Sequence, residues 1–171
     1  MIILGIDPGS RITGFGVIQV EKKNISYLDS GTIRVKAELV PDRLLEIYQG
    51  IREITQKYKI DTAAIEQIFM HFNAQSALKL GQARGVALVA LAESGLPISE
   101  YSARQIKQSV VGYGAAEKSQ VQAMIQAMLK LSKAPGADAS DALACAICHY
   151  HTSQSLLAVT GASKVVRGRL Q

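Results

Sequence analysis

The chain has 171 residues, of which 48% are hydrophobic and 19% charged. This is enough for one well-buried domain, too little for two, and incompatible with global disorder. Its longest apolar window, Val86 to Ala92, falls far short of the roughly 20 residues a spanning helix needs. Charge is unevenly divided: residues 1–66 hold nine Lys/Arg and nine Asp/Glu, whereas residues 67–171 hold ten and five, so the whole net charge of +5 lies in the second part. A basic half in which Asp138 and Asp141 are the last acids suits a polyanionic partner. The N-terminus opens on a strand-like run without a basic flank or cleavage site, so the expected location is cytoplasmic.

In chain order, residues 2–7 read as a buried strand, and Asp7-Pro8-Gly9-Ser10 is turn chemistry. A second strand spans 13–20, where Gly14 and Gly16 permit close approach of another backbone or a ligand. After Lys22-Lys23-Asn24, a third strand is expected over 25–35, broken at Ser30-Gly31, giving an antiparallel meander. From Pro41 the spacing of Leu44, Leu45, Ile47, Tyr48, Ile51 and Ile54 predicts an amphipathic helix. Residues 61–66 form a fourth strand which, coming after a helix, is expected to run parallel to the first. Residues 67–73 are a loop, and Asn73 can cap a helix over 74–94 ending at Gly95. A fifth strand (96–100) precedes the capping box Ser102-x-x-Gln105 of a helix reaching Val111. Two further helices are expected, 117–131 and 138–153. The expected fold is α/β: a mixed five-stranded sheet of order 3-2-1-4-5 with helices on both faces. It forms one domain over 1–155, followed by a basic tail over 156–171 (Lys164, Arg167, Arg169) that is expected to be mobile.

Four carboxylates stand where an anion is costly. Asp7 ends the run Ile2-Ile3-Leu4-Gly5-Ile6, Glu66 ends Ala63-Ala64-Ile65, and Asp138 and Asp141 open an otherwise apolar helix. No Lys or Arg lies within three residues of any of them. Singly, each has an ordinary structural explanation: a turn, a strand-end ion pair, a helix cap, or a helix dipole. Jointly, strand order 3-2-1-4-5 sets Asp7 beside Glu66, and Asp138 and Asp141 share one helix face with Cys145. Leu143, Ile147 and Tyr150 are then expected to pack elsewhere. Clustered carboxylates need hard divalent cations, and all-oxygen ligands suit Mg²⁺ or Mn²⁺. Lys107 and Lys118 are candidate phosphate ligands, set against the usual fate of Lys as a solvated surface residue. Phe69, in a loop with Met70 and Phe72, is either a core residue or an aromatic that stacks on an unpaired base. Gly81 and Gly85, with Ala74, Ala77 and Ala92, make a small-residue stripe that packs on the sheet or on a second subunit, with Lys79 and Arg84 nearby. Cys145-Ala-Ile-Cys148-His149 matches a haem-attachment string and, with His151, offers four zinc ligands. Without export, and with ligands splayed around one helix, neither haem nor zinc is expected, and both cysteines read as small buried hydrophobes.

Several blocks resemble one family. Gly-Ile-Asp-Pro-Gly-Ser-Arg (5–11), Ile-Glu-Gln-x-Phe (65–69) and Asn-Ala-x-Ser-Ala-Leu-Lys-Leu-Gly-Gln-Ala-Arg-Gly (73–85) are similar to the RuvC family of Holliday junction resolvases. Glu-Lys-Ser-Gln-Val (117–121) and Ala-Asp-Ala-Ser-Asp-Ala-Leu-Ala (137–144) extend the likeness, which runs from about residue 2 to 152. The resemblance implies a ribonuclease-H-like fold and a homodimeric endonuclease that nicks four-way DNA junctions symmetrically using Mg²⁺, with two ions per subunit and Mn²⁺ able to substitute. It implies Asp7, Glu66, Asp138 and Asp141 as metal ligands and catalytic residues, with Phe69, Lys107 and Lys118 as DNA contacts. It also implies RuvA and RuvB as partners. In the expected two-metal arrangement Asp7 serves both ions, Glu66 the leaving-group side, and Asp138 with Asp141 the water side. Three competing readings stand beside this one, the nearest being a related ribonuclease-H-like nuclease that acts on another DNA or RNA structure. Gly5-Ile6-Asp7-x-Gly9-Ser10 also resembles the phosphate loop of actin-like kinases, which need two such lobes. A nucleic-acid-binding module without chemistry would have no use for a full carboxylate set.

Overall fold

The computed structural model describes the backbone of residues 1–68, 73–160, 165–166 and 169–170, and side chains as far as Leu156. Phe69, Met70 and Phe72, and the side chains of Lys164, Arg167 and Arg169, lie outside the described residues. The elements are β1 (Ile2–Asp7), β2 (Ile12–Glu21), β3 (Asn24–Arg34), α1 (Val40–Lys57), β4 (Thr62–Glu66), α2 (Ala74–Glu93), β5 (Ile98–Tyr101), α3 (Ala103–Val111), α4 (Lys118–Met128), α5 (Ala137–Thr160), β6 (Val165–Val166) and β7 (Arg169–Leu170). Strands 1 to 5 form one sheet of order β3-β2-β1-β4-β5, as expected, and β6 and β7 pair separately. β1 runs antiparallel to β2 and parallel to β4, and β4 runs parallel to β5.

Alternation along the strands divides the core into two layers. Leu4, Ile6, Ala63 and Ile65 face α1 and α2, packing with Ile47, Ile51, Ala83, Ala87 and Leu91. Ile3, Ile18 and Ala64 face α3, α4 and α5, packing with Ile106, Val121, Ile125, Leu143 and Ile147. α5 lies so close to β1 and β2 that only glycine fits beneath it. A Cβ at Gly5 would overlap the Ala142 carbonyl and stand 2.8 Å from Ala146 N, and one at Gly16 would stand 2.7 Å from Leu143 N. The close approach foreseen at Gly14 and Gly16 is therefore made by a helix backbone rather than by a ligand.

Several boundaries and faces differ from expectation. β3 is continuous through Ser30-Gly31, because the Phe15 ring fills the space above Gly31 and the pairing simply carries on. The irregularity falls instead between Val17 and Ile18. α5 continues to Thr160 rather than ending near Ser153, and α4 ends at Met128, where Lys130 (φ 53°) reverses the chain. Leu143 does not pack away from the sheet, since it lies directly over Gly16 of β2, and α5 is enclosed by the sheet on one side and α3 and α4 on the other. Leu45 is half exposed, so α1 buries a narrower stripe of Ile47, Ile51 and Ile54. The Ser102/Gln105 capping box and the Asn73 cap both form. Among the described residues no helix is long and apolar enough to cross a membrane.

Candidate active site

The register of β1 and β4 pairs Ile6 with Ile65, so Asp7 and Glu66 follow side by side, about 4.8 Å apart in the pairing direction. Because Ile6 and Ile65 face α1 and α2, the next residue on each strand projects toward α5. Asp7 is the Cα partner of Gly14, and a Cβ on Gly14 would collide with the carbonyl group of Asp138. The first turn of α5 is thus seated beside the end of β1. One turn on, Asp141 Oδ2 accepts a hydrogen bond from Lys118 Nζ at 3.3 Å. The turn after Asp7 is closed by buried Thr13, whose hydroxyl donates to Gly9 O at 3.0 Å and accepts from Gly9 N at 3.3 Å.

Electrostatics reports the convergence directly. The Asp7 carboxyl is pushed up to about 7, first by burial and then by repulsion from Glu66, Asp141 and Asp138, with Lys118 opposing. Glu66 is also raised, by burial and then by Asp141, against the pull of Lys118 and Lys107. Lys118 is raised in turn, chiefly by Asp141. The four acids therefore share one field. Among the described residues, however, no three such side chains stand close enough to surround one ion. Completing a ligand shell needs side-chain movement, including release of Asp141 by Lys118. The donors are all carboxylate oxygens at a site with excess negative charge, which fits a hard divalent cation.

Lys107 and Lys118 both lie close enough to Glu66 to act on its carboxyl, while Phe69 lies outside the described residues. Cys145, fully buried, senses Glu66 and Asp7, so the stripe of Asp138, Asp141 and Cys145 does face the sheet. Sequence reasoning placed Arg84 near the small-residue stripe and missed its main role. Its Nε donates to Glu66 O at 3.2 Å and its guanidinium pairs with Glu100, so α2 holds the end of β4 in place. The contact crosses 18 residues, and nothing in the local spacing announces it. A cleft of about 490 Å³ between α3 and α5, lined by Arg104, Ser109, Cys148 and His151 among others, contains none of the four acids. The carboxylates stand outside it.

Comparison with known proteins identifies the family. The family described as "Crossover junction endodeoxyribonuclease RuvC" matches residues 3–149. A protein of that name from Shewanella amazonensis is 59% identical over 164 residues, covering 96% of this chain and 95% of the relative. Another, from Francisella tularensis subsp. novicida, is 58% identical over 171 residues and covers all of both chains. Among solved structures, Thermus thermophilus RuvC in complex with Holliday junction substrate superposes with a TM-score of 0.85 at 31% identity, covering 91% of this chain and 96% of that one. The chain belongs to the RuvC family of crossover junction endodeoxyribonucleases.

Proposed function

We propose that this chain is a structure-selective endodeoxyribonuclease that resolves four-way DNA junctions by paired nicks, using Asp7, Glu66, Asp138 and Asp141 to hold Mg²⁺. The observation that carries the reading is the placement of these acids at the ends of β1 and β4 and the start of α5, where burial first and then repulsion from Glu66, Asp141 and Asp138 push the Asp7 carboxyl up to about 7. Membership of a family named for crossover junction cleavage supports the choice of substrate. Two ions, when bound, supply Lewis acidity toward the scissile phosphodiester and the attacking water. The chain's own contribution is placement. β1 and β4 deliver Asp7 and Glu66 from adjacent strand ends, and α5 delivers Asp138 and Asp141 from its first turns. Lys118, freed from Asp141 when that carboxylate takes a cation, is positioned to offset negative charge on the phosphate. Lys107 adds positive potential on the Glu66 side.

A homodimer is part of this reading. Leu78 (70% exposed) and Val89 (61% exposed) lie on one face of α2 with Gly81 and Gly85, where an added Cβ would meet nothing within 4 Å. The small-residue stripe is thus not spent on packing against the sheet. A second copy seated there two-fold would give one site per strand to be cut, matching the symmetry of a junction. RuvA and RuvB are the partners expected from the family, and a cytoplasmic location belongs to the same reading. The test is cleavage of a synthetic mobile four-way junction, compared with linear duplex and RNA–DNA hybrid, across a Mg²⁺ titration. Junction-selective nicking that requires Mg²⁺ and vanishes in Asp7→Asn is expected. Near wild-type nicking by Asp7→Asn would refute the site, and a preference for the hybrid would refute the substrate.

A further inference from the structure

Behind the carboxylates, one side chain joins three elements through fixed hydrogen bonds. His149 lies near the middle of α5. Its Nε2 is 3.1 Å from Thr62 Oγ1 at the start of β4, and its Nδ1 is 2.9 Å from the Tyr101 hydroxyl at the end of β5. The Thr62 hydroxyl has one proton, which it donates to Pro97 O at 3.1 Å. It must therefore accept from His149, so Nε2 carries the ring proton. Nδ1 of the neutral ring is then an acceptor and takes the Tyr101 hydroxyl proton. Burial disfavours the charged imidazolium, in keeping with this arrangement. The network thus has a single direction: Tyr101 donates to His149, His149 to Thr62, and Thr62 to the Pro97 carbonyl.

Its location ties it to the acids. Tyr101 is the Cα partner of Glu66, and Tyr101 O accepts from Gln67 N at 2.8 Å. α5 runs antiparallel to β1 and β4, with Asp138 at the Gly14 end and His149 at the Thr62 end. From His149 back to Asp141 is eight residues of helix, about 12 Å at 1.5 Å per residue. From Thr62 forward to Glu66 is four residues of strand, about 13 Å at 3.3 Å per residue. The two rises match, so fastening His149 to Thr62 brings Asp141 level with Glu66. A slip of one residue along α5 would displace both helix carboxylates by about 1.5 Å.

We propose that His149 is a positioning residue that fastens α5 to β4 and β5 and so sets the spacing between the helix carboxylates and Glu66 to suit divalent cations. This rests on the carboxylate site described above, and the test separates the two. Mn²⁺ binding to DNA-free protein is measured by isothermal titration for wild type, Asp7→Asn, His149→Phe and His149→Gln, together with junction binding in EDTA. His149→Phe keeps the ring volume but loses both hydrogen bonds. His149→Gln keeps an N–H aimed at Thr62. Expected is a loss of Mn²⁺ affinity of about tenfold in His149→Phe, partly restored in His149→Gln, with junction binding within about twofold of wild type because it rests on phosphate contacts. Wild-type Mn²⁺ affinity in His149→Phe would overturn the positioning role. So would junction binding that falls in parallel with Mn²⁺ binding. If wild type itself binds no Mn²⁺, or binds it no better than Asp7→Asn, the carboxylate site fails instead. Should His149→Phe not fold, Thr62→Val, which removes the acceptor from the other side, is expected to show the same selective loss, and unchanged Mn²⁺ affinity there refutes the proposal.

Discussion

Asp7→Asn should make the metal-free protein more stable while destroying its activity. The Asp7 carboxyl is raised from 3.8 to about 7 by burial and by Glu66, Asp141 and Asp138. A shift of about three units corresponds to about 4 kcal/mol of strain when the group ionises in the fold. Relaxation of the site and penetration of water reduce this by roughly half, leaving about 2 kcal/mol. The sign follows from linkage. For a carboxyl raised in the folded state, the stabilising contribution is fully present below the unfolded value near 3.9 and is lost as pH rises through about 7. At pH 8 wild type bears the whole cost of burying an ionised carboxylate beside three others, and the neutral amide bears none of it. A gain of about 2 kcal/mol raises Tm by roughly 4–8 °C in a domain of this size. The assay is thermal unfolding by circular dichroism in EDTA at pH 8 and at pH 5, where most of the gain should have disappeared. Mg²⁺ at pH 8 should also narrow the gap, because it binds only the wild type. Equal or lower stability of Asp7→Asn at pH 8 would refute a repulsive cluster around Asp7.

Other consequences are separable. Because a proton on Asp7 competes with the cation, the Mg²⁺ concentration for half-maximal junction cleavage should climb as pH falls below about 7. A flat profile between pH 6 and 8 would contradict this. Gly5→Val places side-chain atoms inside the Ala142 carbonyl and against Ala146 N, and should destabilise by about 3 kcal/mol or more. Urea unfolding with an unchanged midpoint would show that α5 is not seated on β1 as described. Leu78→Asp with Val89→Asp, on the exposed face of α2, should shift sedimentation at micromolar concentration from dimer to monomer while leaving the monomer folded. A dimer that survives both changes would place the interface elsewhere.

The sheet order was readable because short connections force a meander over β1, β2 and β3 and an intervening helix makes β4 parallel to β1. Once that order is accepted, Asp7 and Glu66 must be neighbours. The close seat of α5 was half readable. Gly14 and Gly16 announced a close approach, but their spacing does not say whether a helix or a ligand makes it. The rest depended on relations no local pattern encodes. Helical spacing puts Leu143 opposite Asp138, Asp141 and Cys145 and so away from the sheet, yet α5 sits so close to β2 that Leu143 also packs on it, over Gly16. Arg84 reaches the Glu66 carbonyl only because of how α2 is rotated about its axis. The ion pair of Lys118 with Asp141 is likewise set by the placement of α4 against α5, which no local pattern encodes. The break expected at Ser30-Gly31 failed because Phe15 on the partner strand fills the gap that glycine leaves.

The central claim is that carboxylates from β1, β4 and α5 form one cation site. An anomalous difference map from crystals of the protein soaked in Mn²⁺ tests it most directly. Strong peaks bonded to oxygens of Asp7 and of at least two of Glu66, Asp138 and Asp141 are expected, with Lys118 moved off Asp141. Peaks elsewhere on the protein, with these four side chains unliganded at saturating Mn²⁺, would contradict it.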